Sequence, residues 1–165
     1  MLSAILALLA MTAAAKLPAV LAHVTTQTLS GERVALPDDL TQPAIFVAGF
    51  TKASRSETEA WAHRLRDDAR IASKAKVYEV SILDGVPGFL RGMIVSQMRS
   101  GIAASRQKQF LIVSEAVDLW KQALDANGGD DHAHVIVVKP SGVIVWRGHG
   151  ALSDAAYQAL ISSIE

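Results

Sequence analysis

The chain contains no cysteine among its 165 residues. A thiolate is the nucleophile in disulfide exchange and in thiol peroxidase reactions, so thiol-disulfide oxidoreductase and thiol peroxidase activities are both excluded. Sixteen basic and sixteen acidic side chains leave no net charge. Nucleic-acid-binding domains usually carry a basic surplus, so we expect no nucleic-acid partner. Proline is also missing from the long stretch between Pro87 and Pro140.

An uncharged run rich in leucine and alanine occupies residues 2–15. It has the length of a signal-peptide core and is shorter than the roughly 20 residues that a membrane-spanning helix needs. Small residues suited to cleavage follow at Ala13-x-Ala15 and at Val20-x-Ala22. A basic segment before the run, which signal peptides usually have, is lacking.

These features divide the chain in two. We expect residues 1–22 to be a signal peptide or an uncleaved N-terminal anchor, with a buried helix as the remaining alternative. Residues 23–165 are expected to form one domain, since their length suits a single hydrophobic core. The protein is then expected to be periplasmic or secreted, and any membrane association would come from the N-terminus.

Hydrophobic periodicity predicts an α/β domain. Short apolar runs indicate strands, and apolar residues at helical spacing between them indicate helices. The order is typical of a mixed sheet flanked by helices. The predicted elements are an edge hairpin over 24–36, strands over 44–50, 77–83 and 110–113, a late hairpin of 134–138 and 143–146, and helices that begin near Ser56, Pro87, Ser114 and Ser153.

Three of these helices carry specific predictions. Ser56 and Glu59 have the spacing of a capping box at a helix start. The residues expected to face the sheet from this first helix are Trp61, Leu65, Ala69 and Ala72. The residues expected to be buried on the second helix are Phe89, Leu90, Met93, Ile94, Gln97 and Met98. The third helix is expected to run from Ser114 to Ala126 and to stop at residues 127–129.

The junction at residues 50–57 and the late hairpin VIVVKPSGVIVW resemble the redoxin type of the thioredoxin-like superfamily. The resemblance implies a mixed sheet flanked by helices, with a late β-hairpin and a C-terminal helix. It places the active cysteine pair of such domains on residues 51–56, where this chain has serine. It places their cis-proline close to His134, where this chain has none. A scaffold without redox chemistry is therefore implied.

Residues 45–160 also resemble the mitochondrial ATP synthase assembly factor family, in segments that include FVAGF, TKAS, EAVDLW and WRGHG. That family has a thioredoxin-like fold that does not rely on redox cysteines, and it assists the proton-channel subunit of the synthase. The resemblance implies an assembly role with a protein partner. The leader-like N-terminus fits a bacterial envelope protein better than a mitochondrial matrix protein.

The loop of residues 51–56 is the first candidate site. It precedes a predicted helix N-terminus, where free N–H groups and the helix dipole favour an anion. Lys52, Ser54 and Arg55 would add donors for a carboxylate or phosphate. The alternative is that Ser54 or Ser56 caps the helix and that the two cations are solvated.

The end of the late hairpin is the second candidate. Arg147 and His149 would meet a partner there, with Trp146 packed beneath them. The alternative is a core tryptophan, an exposed arginine and a turn permitted by Gly148 and Gly150.

The sequence DDHAH at residues 130–134 is the third candidate. His132 and His134 would point to one side of an extended segment, and an aspartate or His149 would complete a metal site. No fixed metal motif is matched, so a polar loop with incidental histidines is the default and no cofactor is expected. Glu79, inside an apolar strand, is a further candidate acid if it is buried and a solvated residue if it faces outward.

The sequence therefore predicts a non-redox binding or assembly-type module of the cell envelope whose partner is another protein. The alternative is a non-thiol enzyme, or a carrier of a small ligand or metal, that uses the 51–56 loop and the nearby histidines. A pocket joining that loop to the histidines would favour the alternative. An exposed apolar patch would favour the binding module.

Overall fold

The computed structural model describes residues 19–126 and 130–165. Seven strands form one mixed sheet in the order β2-β1-β5-β4-β3-β6-β7. The strands are β1 (Val24–Thr28), β2 (Arg33–Leu36), β3 (Ala44–Gly49), β4 (Lys76–Ile82), β5 (Phe110–Val113), β6 (His134–Val138) and β7 (Ile144–His149). The helices are α1 (Arg55–Asp67), α2 (Ala69–Ala72), α3 (Gly88–Gly101), α4 (Val117–Leu124) and α5 (Asp154–Ser163), with a 3₁₀ helix at Ala104–Gln109. The α/β fold class with a late hairpin and a C-terminal helix is thus confirmed.

Strand β3 lies near the centre of the sheet and sets the position of the site. It runs parallel to β4 and antiparallel to β6. The register places Ala48, near the end of β3, opposite His134 at the start of β6. His134 in turn lies opposite His149, at the end of β7. One end of the sheet therefore brings together the start of α1, the start of β6 and the end of β7.

Hydrophobic cores lie on both faces of the sheet, because side chains alternate along a strand. On one face Phe46 stacks on Tyr78 with ring centroids 5.3 Å apart and meets the edge of Trp120 at 5.5 Å. On the other face, Trp61 of α1 packs near Tyr157 of α5. All five residues of β6 are buried, which is typical of a strand covered on both sides.

The first helix differs from its prediction. It begins at Arg55, and Ser56 lies inside it. It ends at Asp67, because Asp68 adopts an extended backbone and caps α2: the Asp68 side chain accepts a hydrogen bond from the N–H of Arg70 in that helix. This interruption changes the helical phase, so Ile71 is buried in place of Ala69 and Ala72, which are exposed.

The prediction of a buried side for α3 is wrong. The structure describes every residue from Gly88 to Gly101, and none of them is buried. Phe89 is 84% exposed and Met93 is 55% exposed. Gln97 is also exposed, and Leu90, Ile94 and Met98 are half-buried. Periodicity shows that a helix has an apolar side, and it carries no information on whether the domain covers that side.

Helix α4 also begins later than predicted. Ala116, with a φ of 53°, precedes it in the left-handed conformation, so Ser114 does not cap it. Its last residue is Leu124, and Asp125 follows with a φ of 55°. The predicted stop at residues 127–129 lies outside the described residues. By contrast, α5 begins next to Ser153 as predicted, and the Ser153 side chain caps it by accepting a hydrogen bond from the N–H of Ala156.

The expected signal peptide or anchor lies mostly outside the described residues, which begin at residue 19. Residues just before the expected boundary at 23 pack on the domain. Leu21 is fully buried, its N–H donates to the carbonyl of Gly142 at 2.8 Å, and Val20 pairs with Val143. Within residues 19–126 and 130–165, no helix has the length and apolar character needed to cross a membrane.

Candidate functional site

The 51–56 loop is closed around its own serine. Ser54 immediately precedes α1, yet its side chain does not cap the helix. Its Oγ donates instead to the carbonyl oxygen of Thr51 at 2.8 Å, and the residue is only 1% exposed. Gly49 leaves room for this hydroxyl, since a Cβ at Gly49 would lie 2.5 Å from it. Ser54 is thus a buried structural residue and presents no donor to a ligand.

The two cations of this loop have different surroundings. Lys52 is exposed. Arg55 is exposed as well, and its Nε donates to Oε1 of Glu59 at 2.7 Å, which raises the pKa of Arg55. Thr51 ties the loop to the neighbouring segment, because its hydroxyl donates to Oδ1 of Asp131 at 2.7 Å. The loop and the histidine-rich segment therefore form one continuous surface.

Asp130 lies between two histidines at the centre of this surface. Nε2 of His134 lies 3.0 and 3.1 Å from the two carboxylate oxygens of Asp130. Nε2 of His149 lies 3.3 Å from Oδ2 of the same carboxylate. Burial acts to raise the pKa of Asp130, but hydrogen bonds from His134 and from the N–H of His132 hold that pKa below its usual value. The carboxylate is thus kept ionised.

Glu57, in the first turn of α1, forms a second carboxylate–histidine pair, with His132. Its Oε2 accepts a hydrogen bond from the N–H of Ala133 at 2.8 Å, and its Oε1 lies 3.2 Å from Nδ1 of His132. Burial acts to raise the pKa of Glu57, and these two partners lower it below the usual value. The ring centroid of His149 lies 5.1 Å from that of His132 and 4.7 Å from that of His134. Three of the five histidines of the chain therefore meet here.

A cleft of about 400 Å³ opens on this group. Arg147 lies on its wall, and its Nε donates to the carbonyl of Ala123 at 2.8 Å. The 51–56 loop is not among the lining residues, so the cleft does not join that loop to the histidines in the way that the enzyme or carrier alternative requires. The lining residues are Leu124, Asp125, Asp130, His134, Arg147, Gly148 and His149.

Trp146 lies on the other face of the sheet from this cleft. Its ring centroid is 6.1 Å from that of Trp61, within the core formed with α1 and α5. Gly148 lies directly against it, since a Cβ there would come within 2.2 Å of the indole ring. Trp146 is therefore a packing residue, whereas Arg147 and His149 are exposed at the cleft.

Glu79 does not belong to this surface. Its side chain is 13% exposed and receives a hydrogen bond from Arg66 at 2.6 Å and another from Arg106. Tyr78, Val80 and Ile82 are the buried residues of its strand. Glu79 thus connects α1 and the 3₁₀ helix to the sheet, which is a structural role.

Glu57 is the one member of the cluster that the sequence did not indicate. It lies 75 residues from His132 and has the appearance of an ordinary acidic residue in a first helical turn. A signal was available only for the other members, which lie in the DDHAH segment and at the end of the hairpin. The contact from α1 arises from the fold.

No protein-family model and no curated protein sequence matches the chain. Solved structures do match it. BsSco, a member of the Sco family of cytochrome c oxidase assembly proteins, is similar with a TM-score of 0.59 and 15% identity over 90% of this chain and 92% of that one. The chain has a thioredoxin-like fold.

Two further structures support this fold. The exposed lipoprotein thioredoxin Etrx1 of Streptococcus pneumoniae has a TM-score of 0.56 and 14% identity, over 86% of this chain and 98% of that one. A thiol:disulfide interchange protein from Bacteroides sp. has a TM-score of 0.57 and 18% identity, over 89% of each chain. At such identities the shared property is the fold. Within it, the β3–α1 junction of this chain carries Ser54 and no sulfur.

Proposed function

We propose that this chain is a non-redox binding or assembly-type module of the cell envelope, with a protein partner. Its working surface is the end of the sheet formed by the 51–56 loop, the DDHAH segment and the end of β7, which we call the site end. The observation that carries the proposal is the buried Ser54. The junction that would hold a reactive thiol is free of sulfur and closed by the Ser54–Thr51 hydrogen bond.

The exposed side chains of the site end suit contact with a protein. Lys52 and Arg147 are both exposed and positively charged, and His149 lies beside Arg147 on the cleft. Polar and charged groups around an interface mainly guide association and fix its register. An acidic or carbonyl-rich segment of a partner would complement these cations.

The envelope location is supported by two kinds of observation. The uncharged N-terminal run of residues 2–15 has the composition of an export signal. Among similar structures, one is an exposed lipoprotein and another belongs to a family of cytochrome c oxidase assembly proteins. The resemblance to the ATP synthase assembly factor family concerns the partner and not the location: it favours a membrane-protein partner.

A second candidate function, a carrier of a small ligand or metal ion, is favoured by the cleft. Its wall brings Asp130, His134, His149 and Arg147 together, which gives nitrogen ligands, a carboxylate and a cation in one place. This arrangement is compatible with a binding module, because a bound ion or ligand could itself be what the partner recognises.

The test is recovery of partners from envelope extracts on the immobilised protein, quantified by mass spectrometry. The K52A/R147A double variant removes two charges from the site end and is expected to lower recovery of specific partners about fivefold, or about 1 kcal/mol of binding free energy. The matched control is the K74A/K139A variant, whose two exposed lysines lie at the opposite end of the sheet. Equal recovery by all three proteins would remove the site end from the proposal.

A further inference from the structure

We propose that Asp130, His134 and His149 form a binding site for one divalent transition-metal ion of the zinc type, with a coordination position left open to the cleft. The proposal deepens the proposed function and rests on it only in using the same surface. Oδ of Asp130 and the ring nitrogens of the two histidines lie within 4.8 Å of one another.

The spacing of these atoms suits a tetrahedral ion. Zinc binds imidazole nitrogen and carboxylate oxygen at about 2.0–2.2 Å, which separates adjacent ligands by about 3.4 Å. The Nε2 atoms of His134 and His149 lie 3.0 and 3.3 Å from carboxylate oxygens of Asp130. Small movements would therefore suffice for coordination, and the ion would take the place of these hydrogen bonds.

The backbone holds two of the three ligands firmly. His134 and His149 are opposite residues of the antiparallel pair β6–β7, so the sheet sets their separation. His134 is 3% exposed, and its ring meets the edge of Phe50 at 5.6 Å. A buried histidine whose Nε2 faces a carboxylate, and whose ring lies beside a second histidine, is constrained in the way that metal ligands usually are.

Neighbouring groups support the site from outside. The carboxylate of Asp130 accepts a hydrogen bond from the N–H of His132 at 3.2 Å, which orients it. His132 lies against His149 and is itself held by Glu57. Such outer contacts fix ligand orientation and typically change metal affinity by about 10–100-fold when removed.

The ligand set selects the class of metal. Imidazole and carboxylate suit Zn²⁺, Cu²⁺ and Ni²⁺, whereas Cu(I) prefers thiolate or thioether sulfur and Mg²⁺ and Ca²⁺ prefer oxygen alone. Three protein ligands leave a fourth position open, as in catalytic rather than structural zinc sites. In this chain that position would face the cleft beside Arg147, where a ligand atom or carboxylate from a partner could complete the coordination.

The experiment titrates the purified, chelator-treated full chain with Zn²⁺ and measures heat by calorimetry and bound metal by mass spectrometry. The expected result is one ion per chain. A parallel titration with Co²⁺ should give the visible absorption of a low-symmetry, four-coordinate nitrogen–oxygen site. The purified protein is used alone, so the outcome does not depend on whether the partner experiment succeeds.

Variants localise the binding. H149A removes a ligand that is 55% exposed, so the fold should be retained, and D130N keeps the size and much of the hydrogen bonding of the carboxylate. Each is expected to weaken Zn²⁺ binding at least about tenfold, with an unchanged circular dichroism spectrum. The matched control is H63A, because His63 forms an exposed pair with Asp67 at 3.1 Å elsewhere in the described chain.

Binding of one Zn²⁺ per chain that is weakened in H149A and D130N and retained in H63A would support the site. Absence of stoichiometric binding to the folded wild-type chain would overturn it. Equal weakening in H63A and H149A would also overturn it, since it would show only general binding by surface histidines.

Discussion

Ser54 Oγ donates a hydrogen bond to the carbonyl oxygen of Thr51 at 2.8 Å, and Ser54 itself is 1% exposed. In a thioredoxin-like fold this is the junction between the central strand and the first helix. The hydroxyl donates its hydrogen bond within its own loop, and the missing side chain of Gly49 leaves space for it. The junction, which has no sulfur, is therefore a closed loop, and the histidine cluster lies beside it.

A cysteine at position 54 is expected to be unreactive. The S54C variant should resist a thiol reagent such as Ellman's reagent while folded and react fully in denaturant, because a buried thiol is neither accessible nor ionised. The matched control is K52C, two residues away in an exposed position, which should react within minutes in the folded protein. Rapid reaction of S54C would show that the loop opens readily.

The space between Gly49 and Ser54 is expected to tolerate no added methyl group. G49A would place a Cβ 2.5 Å from Ser54 Oγ and 3.2 Å from the Thr58 methyl, so it should destabilise the fold by about 1–3 kcal/mol in chemical denaturation. The double variant G49A/S54A should recover part of this loss. G88A is the control, since nothing lies within 4 Å of a Cβ there, and it should be neutral or slightly stabilising.

Tyr157 and Asp68 give the fold a defined dependence on pH. The Tyr157 hydroxyl donates to Oδ2 of Asp68 at 2.8 Å. Hydrogen bonds from Arg70, and then from Tyr157, hold the pKa of Asp68 well below its usual 3.8. Because its folded pKa is depressed, ionised Asp68 stabilises the fold above about pH 4, and this contribution is lost as the pH falls further. Burial, and then Asp68, raise the pKa of Tyr157 to about 12.

Y157F tests this pair. It should cost about 1–2 kcal/mol at pH 7, since it removes a hydrogen bond to a charged group. The difference from wild type should persist at pH 4 and shrink only at lower pH, where Asp68 becomes protonated in the folded proteins. The direction of the stability change at alkaline pH also follows from the pKa of Tyr157. A raised tyrosine pKa means that the wild type loses stability between pH 10 and 12, and Y157F should lose less. A difference that is constant across the whole range would contradict the assignment.

The strands could be predicted well because their apolar runs are short, rich in β-branched residues and bounded by turns. The helix starts could be predicted where a side chain marks them, as Ser153 does for α5, but not where they depend on a single backbone conformation, such as the left-handed Ala116 before α4. The histidine cluster was only partly visible in sequence. His132 and His134 are neighbours along the chain, but β7 brings His149 and α1 brings Glu57, and such distant contacts follow from topology alone.

Phe89 on α3 and Phe46 on β3 should differ strongly in their effect on stability, because the first is exposed and the second is buried. F89A should change the free energy of unfolding by no more than about 0.5 kcal/mol, because Phe89 is 84% exposed. F46A removes a fully buried ring that packs on Tyr78 and Trp120, and it should cost about 3–5 kcal/mol. A large loss of stability in F89A would show that, in solution, Phe89 packs against a surface outside the described fold.

The residues just before position 23 are expected to contribute to the fold. Leu21 is fully buried in the core, and its N–H is bonded to Gly142 of the late hairpin. A chain that starts at His23, as cleavage after Ala22 would produce, should therefore be less stable by about 2–4 kcal/mol than a chain that starts at Lys16, as cleavage after Ala15 would produce. L21A in the longer chain is the matched control and should account for most of the loss.

Of the two cleavage sites, only the one after Ala15 keeps this packing. Mass spectrometry of the mature N-terminus, together with the two unfolding curves, checks both parts. A mature protein that starts at His23 and unfolds at the same denaturant concentration as the longer chain would show that Leu21 is dispensable.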